Sequence, residues 1–452
     1  MPETLEREYA KLQIREVNAA LSSGMFVHVR GMLQDMEPCD IALLLESSPP
    51  KGRTILWQLV EADLHGEVLE ELAEDVRNGI IHQMTPERVV AATEGMDDDD
   101  LAEVLRGLPD ALYRNVINAM DSQDRLRAEK VMSYDEDTAG AIMNTDTITL
   151  RPDVSIDVIL RYLRLKGELP EATDYLYVVD DNDTFVGAIS LSTLLTCNPD
   201  LNVKRVLEDD IEVIPVDMEE RDVAQLFERH NWVSAPVVDE EGRLLGRITI
   251  DDVVDVIREE AEHSMMSMAG LDDEEDTFAP VIKSTQRRSL WLGINLFTAL
   301  LAAFVSDLFE STLDQLAVLA VLNTIVPSMG GVAGSQTLTL VIRGMALGHI
   351  SKANSRWLMG KELAIGLLNG AMWAILIASV VAIWKQSFML GVVIAFAMLM
   401  NMIAAGVSGV FIPLMLKRFN IDPALAGGVI LTTVTDIIGI FTFLGTATWL
   451  LL

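Results

Sequence analysis

The chain is poor in the residues on which most catalytic and metal-caging sites depend. Its 452 residues include two cysteines and six histidines. Cys39 and Cys197 lie far apart with no CxxC or Cys/His spacing, which points to a reducing compartment and argues against structural zinc. No GxxxxGK[ST] loop and no HExxH is present, so neither an ATP-driven pump nor a zinc protease is expected, and the chain reads as a non-enzyme. The charged opening lacks a following apolar run, so no cleavable signal is expected. Positive charge is also scarce, with 34 Lys and Arg against 68 Asp and Glu, a net charge of −34. Such a surface repels nucleic acid.

The charge that is present is unevenly placed. Residues 1–282 carry 62 acidic and 24 basic side chains, whereas residues 283–452 carry 6 and 10. The two parts are built for different solvents. So acidic a first part needs counterions, and multivalent metal is an efficient one; plain solubility is the simpler alternative.

From Leu5 to about Lys130 apolar residues recur at helical spacing, with breaks at Pro38, Pro49, Pro86 and Pro109. Residues 36–49 (MEPCDIALLLESSP) align with residues 96–109 (MDDDDLAEVLRGLP) at an offset of 60, and a third start, MTPERVVAA, begins at Met84. Stacked helix pairs in a short solenoid explain that recurrence. Residues 134–257 change period. IMNTDTITLRPD from Ile142 matches VLEDDIEVIPVD from Val206, and YVVDDNDTFVGAISL from Tyr177 matches PVVDEEGRLLGRITI from Pro236. Each copy reads strand, helix, strand, turn, strand, helix, and the pair resembles a tandem CBS module. A polar helix from Asp251 to about Met268 and an acidic stretch, Asp272 to Asp276, follow.

After Arg288 five segments are apolar and long enough to cross a membrane: residues 290–305, 316–346, 363–383, 388–416 and 424–452. Lys283, Arg287 and Arg288, then Arg343, Lys352, Arg356 and Lys361, then Lys417 and Arg418 mark one side; Asp307, Glu310, Asp314 and Lys385 mark the other. The positive-inside rule then places the N-terminal part in the cytoplasm of a multi-pass protein of the plasma membrane, with the C-terminus outside. In this division Asp436 is the single carboxylate in the middle of a span. An ionised Asp at a helix centre costs about 2.5–3.5 kcal/mol on insertion scales, so it is expected to face a polar cavity. Gly428, Thr432, Asp436 and Gly439 share its face; a hydrogen-bonded Asp inside the bundle is the alternative. Asn401, Ala405 and Ser408 form a second stripe, read as helix packing. Pro327 and the glycines of PSMGGVAGSQTLT are expected to interrupt the second span beside the path. Magnesium, which binds through one or two carboxylates and keeps several waters, suits so sparse a site.

PSMGGVAGSQTLTLVIRGMALG and DPALAGGVILTTVTDIIG resemble the two membrane signatures of the MgtE family of magnesium channels, and the resemblance extends over the whole chain. It implies a multidomain protein: an all-α N-domain (residues 1–132), an α+β tandem CBS pair (133–250), a connecting helix and acidic linker (251–282), and a five-helix transmembrane domain (283–452). It implies a homodimer with Mg2+ as cargo and regulator, Asp436 in a pore between subunits, and Asp422 near the cytoplasmic end. Regulatory ligands carried over by position are Glu67, Asp99, Glu103, Glu219, Asp252, Asp255 and Glu260. Arg221, Asn231, His263 and Ser264 stand where some members have carboxylates, and Val332 and Ser335 where asparagines are common. Some members bind ATP in the CBS cleft; Asp251 is kept, while Ser192 and Thr193 replace a charged pair. Two rivals remain at this stage: a coupled secondary transporter of divalent ions including cobalt, and a CBS membrane sensor that transports nothing and signals to a protein partner.

Overall fold

The structure is a computed structural model and describes residues 15–17, 19–21, 23–170, 172–271, 276–351, 353–419 and 421–452. The helical expectation from Leu5 to residue 14, residues 272–275 of the acidic stretch, and Lys352 lie outside these. The chain forms two compact units, Met1–Ala261 with Glu274–Pro280, and Glu262–Asp273 with Val281–Leu452.

The first unit begins with short helices: α1 (Phe26–Gln34), α2 (Pro38–Glu46), α3 (Pro50–Leu59), α4 (His65–Glu70), α5 (Glu74–Ile81), α6 (Pro86–Thr93), α7 (Asp98–Arg106), α8 (Asp110–Ala119) and α9 (Ser122–Val131). Pro38, Pro50 and Pro86 occupy the first turns of α2, α3 and α6. Proline suits that position because first-turn N–H groups have no intrahelical acceptor anyway. These prolines therefore start helices. The aligned segments become α2 and α7, whose ends keep the offset of 60, and the methionines that open the repeats, Met36, Met84 and Met96, are all buried in one core running from Val17 to Ala128.

Two three-stranded sheets follow, with strand orders β1-β2-β3 and β4-β5-β6. The first copy is β1 (Thr149–Leu150), α10 (Ile156–Lys166), β2 (Tyr175–Val179), β3 (Phe185–Ser190) and α11 (Leu191–Thr196). The second is β4 (Ile214–Pro215), α12 (Glu220–His230), β5 (Ser234–Val238), β6 (Leu244–Thr249) and the long α13 (Ile250–Met268). Both copies pair their first strand parallel and their hairpin antiparallel, with a register shift at Val178/Val179 and at Val237/Val238. The copies also exchange their leading segments. Ala139 N–H donates to the Met218 carbonyl and Asn144 N–H to that of Arg247, while Ala188 N–H donates to the Glu208 carbonyl. Ala139 and Met143 consequently sit in the core of the second copy.

The second unit contains α14 (Val281–Asp307), α15 (Glu310–Gln315), α16 (Val318–Leu322), α17 (Ile325–Ala346), α18 (Ser355–Lys385), α19 (Phe388–Arg418) and α20 (Pro423–Leu451). The described residues hold five stretches long and apolar enough to span a bilayer, with α16 and α17 together forming the second. α18 and α19 pack closely because small residues meet backbone there: a Cβ on Gly366 would lie 2.8 Å from the Met402 carbonyl oxygen, and one on Gly406 would lie 2.9 Å from that of Glu362. By contrast α14 has a single buried residue, Ala302, so most of its apolar surface is left uncovered by this chain.

Candidate functional site

The face of α20 that carries Asp436 is built by what the opposite face does. Leu431, Thr435 and Gly439 are buried, and Gly439 lies against Asn401 of α19 and the backbone nitrogen of Pro327 in α17. Thr432 is exposed, and a Cβ on Gly428 would meet nothing within 4 Å. Thr432 Oγ1 donates back to the Gly428 and Val429 carbonyls at 3.1 Å. Asp436 is half-buried, and among the described residues its carboxylate has no hydrogen-bond or ion-pair partner. The chain thus presents Asp436 and Thr432 on a face that it does not itself cover, at a point where lipid is an expensive neighbour for a carboxylate. The expected stripe is split: Gly428, Thr432 and Asp436 look outward, whereas Gly439 turns into the packing.

The break in the second span falls earlier than expected. The helix stops at Leu322, turns through Asn323 and Thr324, and resumes at Ile325, so Pro327 lies in the first turn of α17 and the glycines are helical. Proline costs nothing in that turn, and the glycines serve close approach instead: Gly330 lies against the Asn401 side chain and Gly334 against Leu431. Asn401 is fully buried, and its Nδ2 donates to the Val326 carbonyl at 2.8 Å, tying α19 to the start of α17. Asn323 Oδ1, at the break itself, is enclosed without a hydrogen-bond partner among the described residues.

Asp422 caps α20. It accepts from the N–H groups of Ala424 at 2.9 Å and Leu425 at 3.2 Å, and its Oδ2 lies 3.3 Å from His263 Nε2 on α13. A carboxylate there satisfies first-turn donors and suits the positive end of the helix dipole. One membrane-unit carboxylate was missed. Glu362, placed just before a third span taken to begin at Leu363, belongs to the interior of α18 and is 3% exposed. Its signal was the spacing Glu362–Gly366, a carboxylate one turn before a small residue.

In the first unit the run Asp97–Asp100 is sorted by helical rotation. Asp98 points inward, is 1% exposed, accepts from the Thr145 N–H at 3.0 Å, and also bonds the Thr145 hydroxyl and Arg127. Asp99 meets Asp252 of α13, carboxyl against carboxyl. Burial, and next the Asp252 charge, hold the Asp99 carboxyl well above the usual carboxylate range. Asp100 is pushed up to about 8 by burial and by the charges of Glu70, Glu103 and Asp252. Burial also raises Asp252, against the hydrogen bonds it accepts from the N–H and hydroxyl of Thr249, just before α13. Carboxylates held this close share protons or a cation.

The other predicted ligands are dispersed. Glu103 is bonded by the buried Arg77, with Nη1 to Oε2 at 2.8 Å, and Glu260 is paired with Arg221 at 2.6 Å. Asp255 pairs with Arg258 at 2.9 Å. Glu67 and Glu219 are exposed and make no side-chain bond among the described residues. Asp251, also exposed, stands in the first turn of α13, and Ser192 and Thr193 hold the corresponding turn of α11, where Thr193 N–H donates to Ser190 Oγ. No group of three or more His, Cys, Asp or Glu able to hold a metal converges among the described residues. Asp276, the described end of the acidic stretch, is clamped by Arg53 at 2.8 and 3.3 Å, and both side chains are nearly buried.

Residues 323–446 match the MgtE family, described as a divalent cation transporter; residues 36–137 match the MgtE intracellular N domain, and residues 139–200 and 203–259 match the CBS domain. Fold and matches together define a multi-pass membrane transporter of the divalent-cation class. The magnesium transporter MgtE of Enterococcus faecalis is 30% identical over 326 residues, 72% of each chain. That of Bacillus subtilis is 28% identical over 430 residues, 95% of each chain. A crystal structure of the cytosolic domain of the Mg2+ channel MgtE in complex with ATP is similar at a TM-score of 0.50 and 28% identity, covering 54% of this chain and 99% of that one. The chain belongs to the MgtE family. The relatives named here are transporters rather than enzymes.

Proposed function

We propose that this protein carries Mg2+ down its gradient as a channel formed by two copies of the chain, with Asp436 of each drawing the hydrated ion into a path between them. The observation that carries this reading is an unpartnered carboxylate on the uncovered face of α20, which is dear in lipid and cheap beside water. Entry into a negative cell needs no fuel, because a divalent cation gains about 4.6 kcal/mol across 100 mV. The N-terminal part is cytoplasmic, the membrane is the plasma membrane and the C-terminus is outside. The four sequence regions ending at residues 132, 250, 282 and 452 act as N-domain, CBS pair, connector and membrane domain.

Gating follows from the acidic face. With little magnesium inside, Asp99, Asp100 and Asp252 repel one another and the α7–α13 contact loosens. When magnesium rises it bridges these carboxylates, with Glu67, Glu103, Glu219, Asp255 and Glu260 as outlying ligands, and stabilises the closed state by binding it better. Nucleotide binding next to Asp251 belongs to the same reading, supported by the likeness to a cytosolic domain crystallised with ATP. The test is magnesium influx into proteoliposomes. Asp436→Ala is expected to reduce it to the liposome leak, and wild-type influx in that variant rejects the path.

A further inference from the structure

A second polar recess lies on the α18 side of α17, whereas Gly334 of α17 meets Leu431 of α20 on another side. Gln336 and Thr337 of α17, Lys361, Glu362 and Asn369 of α18, and Gly406 of α19 line a cavity of about 180 Å³. Glu362 forms one wall. Thr337 Oγ1 donates to its Oε2 at 3.0 Å, while Oε1 is buried and has no hydrogen-bond partner among the described residues. The Lys361 ammonium lies 3.5 Å from Oε1, with the Lys361 side chain 40% exposed and that of Glu362 only 4%. Glycines let the helices close on this point, Gly406 against the Glu362 carbonyl oxygen and Gly409 against the Thr337 side chain.

We infer that this recess is a second divalent-cation site, one per chain, which Lys361 guards by holding its own ammonium at the carboxylate oxygen that accepts no hydrogen bond. The donor set is hard and oxygen-rich: a carboxylate, a hydroxyl and two amide carbonyls. The volume matches about six waters at ~30 Å³ each, room for an ion that keeps much of its hydration. An anion is disfavoured because it would face the Glu362 carboxylate, which already holds the one ammonium lining the recess. A proton relay lacks members, since the groups facing Glu362 from α17 and across the recess are Gln336, Thr337 and Asn369, none of which titrates. Lys361 is the one charged neighbour among the described residues that line the recess, and its exposure lets it swing aside when a cation arrives. This inference rests on magnesium being the cargo, and places a waiting position for it apart from the Asp436 face.

The test is local, so that it does not depend on transport. The full chain in lipid nanodiscs, with Cys39→Ser and Cys197→Ser, carries Leu340→Cys, a lining position that is exposed and supplies no donor, as a reporter, and its modification by a cationic thiol reagent is timed with and without magnesium. Magnesium is expected to slow modification, and Lys361→Met is expected to lower the half-protecting concentration about tenfold, because a competing unit charge is removed from contact distance. Glu362→Gln is expected to abolish protection. If protection persists in Glu362→Gln, or if sodium at equal ionic strength gives the same protection, the inference is overturned. If magnesium leaves the rate unchanged even in Lys361→Met, it is equally overturned, and that variant alters an exposed side chain, so it decides the matter should Glu362→Gln fail to fold. Failure here with normal influx leaves the Asp436 path standing; loss of influx in Asp436→Ala with intact protection separates the two in the other direction.

Discussion

The two units treat negative charge in opposite ways. In the first, carboxylates are numerous and pressed against each other, so that Asp99 faces Asp252 and Asp100 faces Glu70 and Glu103. In the second they are few, and those within or capping α17 to α20 stand apart: Asp422 caps a helix, Glu362 is buried beside Lys361, and Asp436 is left uncovered. Crowded carboxylates make a structure whose compactness depends on what neutralises them. Isolated ones, in the function proposed above, are where an ion pauses without being trapped.

The largest effect expected from this contrast is at Asp436. Its replacement by Asn should lower magnesium influx roughly a hundredfold, in line with losing about 3 kcal/mol of Coulomb attraction between a unit charge and a dication in a wet site. Thermal unfolding should be unchanged or slightly higher, since no bond of the chain is lost. A large fall in melting temperature would instead make Asp436 a packing residue.

Next is Asp98, the carboxylate of its run that is fully internal. Asp98→Ala strands Arg127 and the Thr145 N–H, and should destabilise the first unit by about 2–4 kcal/mol, read by denaturant unfolding. An unchanged midpoint would show that the neighbouring acids, not Asp98, organise the α7 junction.

A smaller, titratable effect is expected from the crowded acids. Their folded pKa values are raised, so the folded state binds protons more readily than the unfolded chain. Stability from these groups is full below pH 4 and is lost as pH rises towards 8, where Asp100 titrates. The melting temperature of magnesium-free protein should therefore fall between pH 5 and pH 8.5, and magnesium should flatten that slope. Asp100→Asn should flatten it without magnesium. The smallest effect is expected at the exposed Arg221–Glu260 pair, where Arg221→Ala should change stability by less than about 1 kcal/mol.

The architecture was legible because its repeats are written in spacing. Offsets of 60 between α2 and α7 and of 59 between the two hairpins survive in the structure. The position of Asp436 inside a membrane-length helix was legible for a physical reason: one charge in a long apolar run has no bland background. What stayed hidden depends on rotation and tertiary approach. Nothing in the string DDDD distinguishes Asp98, which turns inward, from Asp99, which turns towards α13. Pro327 and its glycines suggested a broken helix, yet proline in a first turn and glycine at a crossing are both compatible with helix. Glu362 was hidden by Lys361 beside it, because two adjacent charges lower local hydropathy and moved the apparent start of α18 past both.

The central claim is that the outward face of α20 borders water between two copies. A cysteine at Thr432, in Cys39→Ser, Cys197→Ser protein, reports on it directly. The account predicts that a membrane-impermeant hydrophilic thiol reagent modifies Thr432→Cys and blocks magnesium influx, and that oxidation links two chains. Modification by lipid-soluble reagents alone, with influx intact, would contradict it.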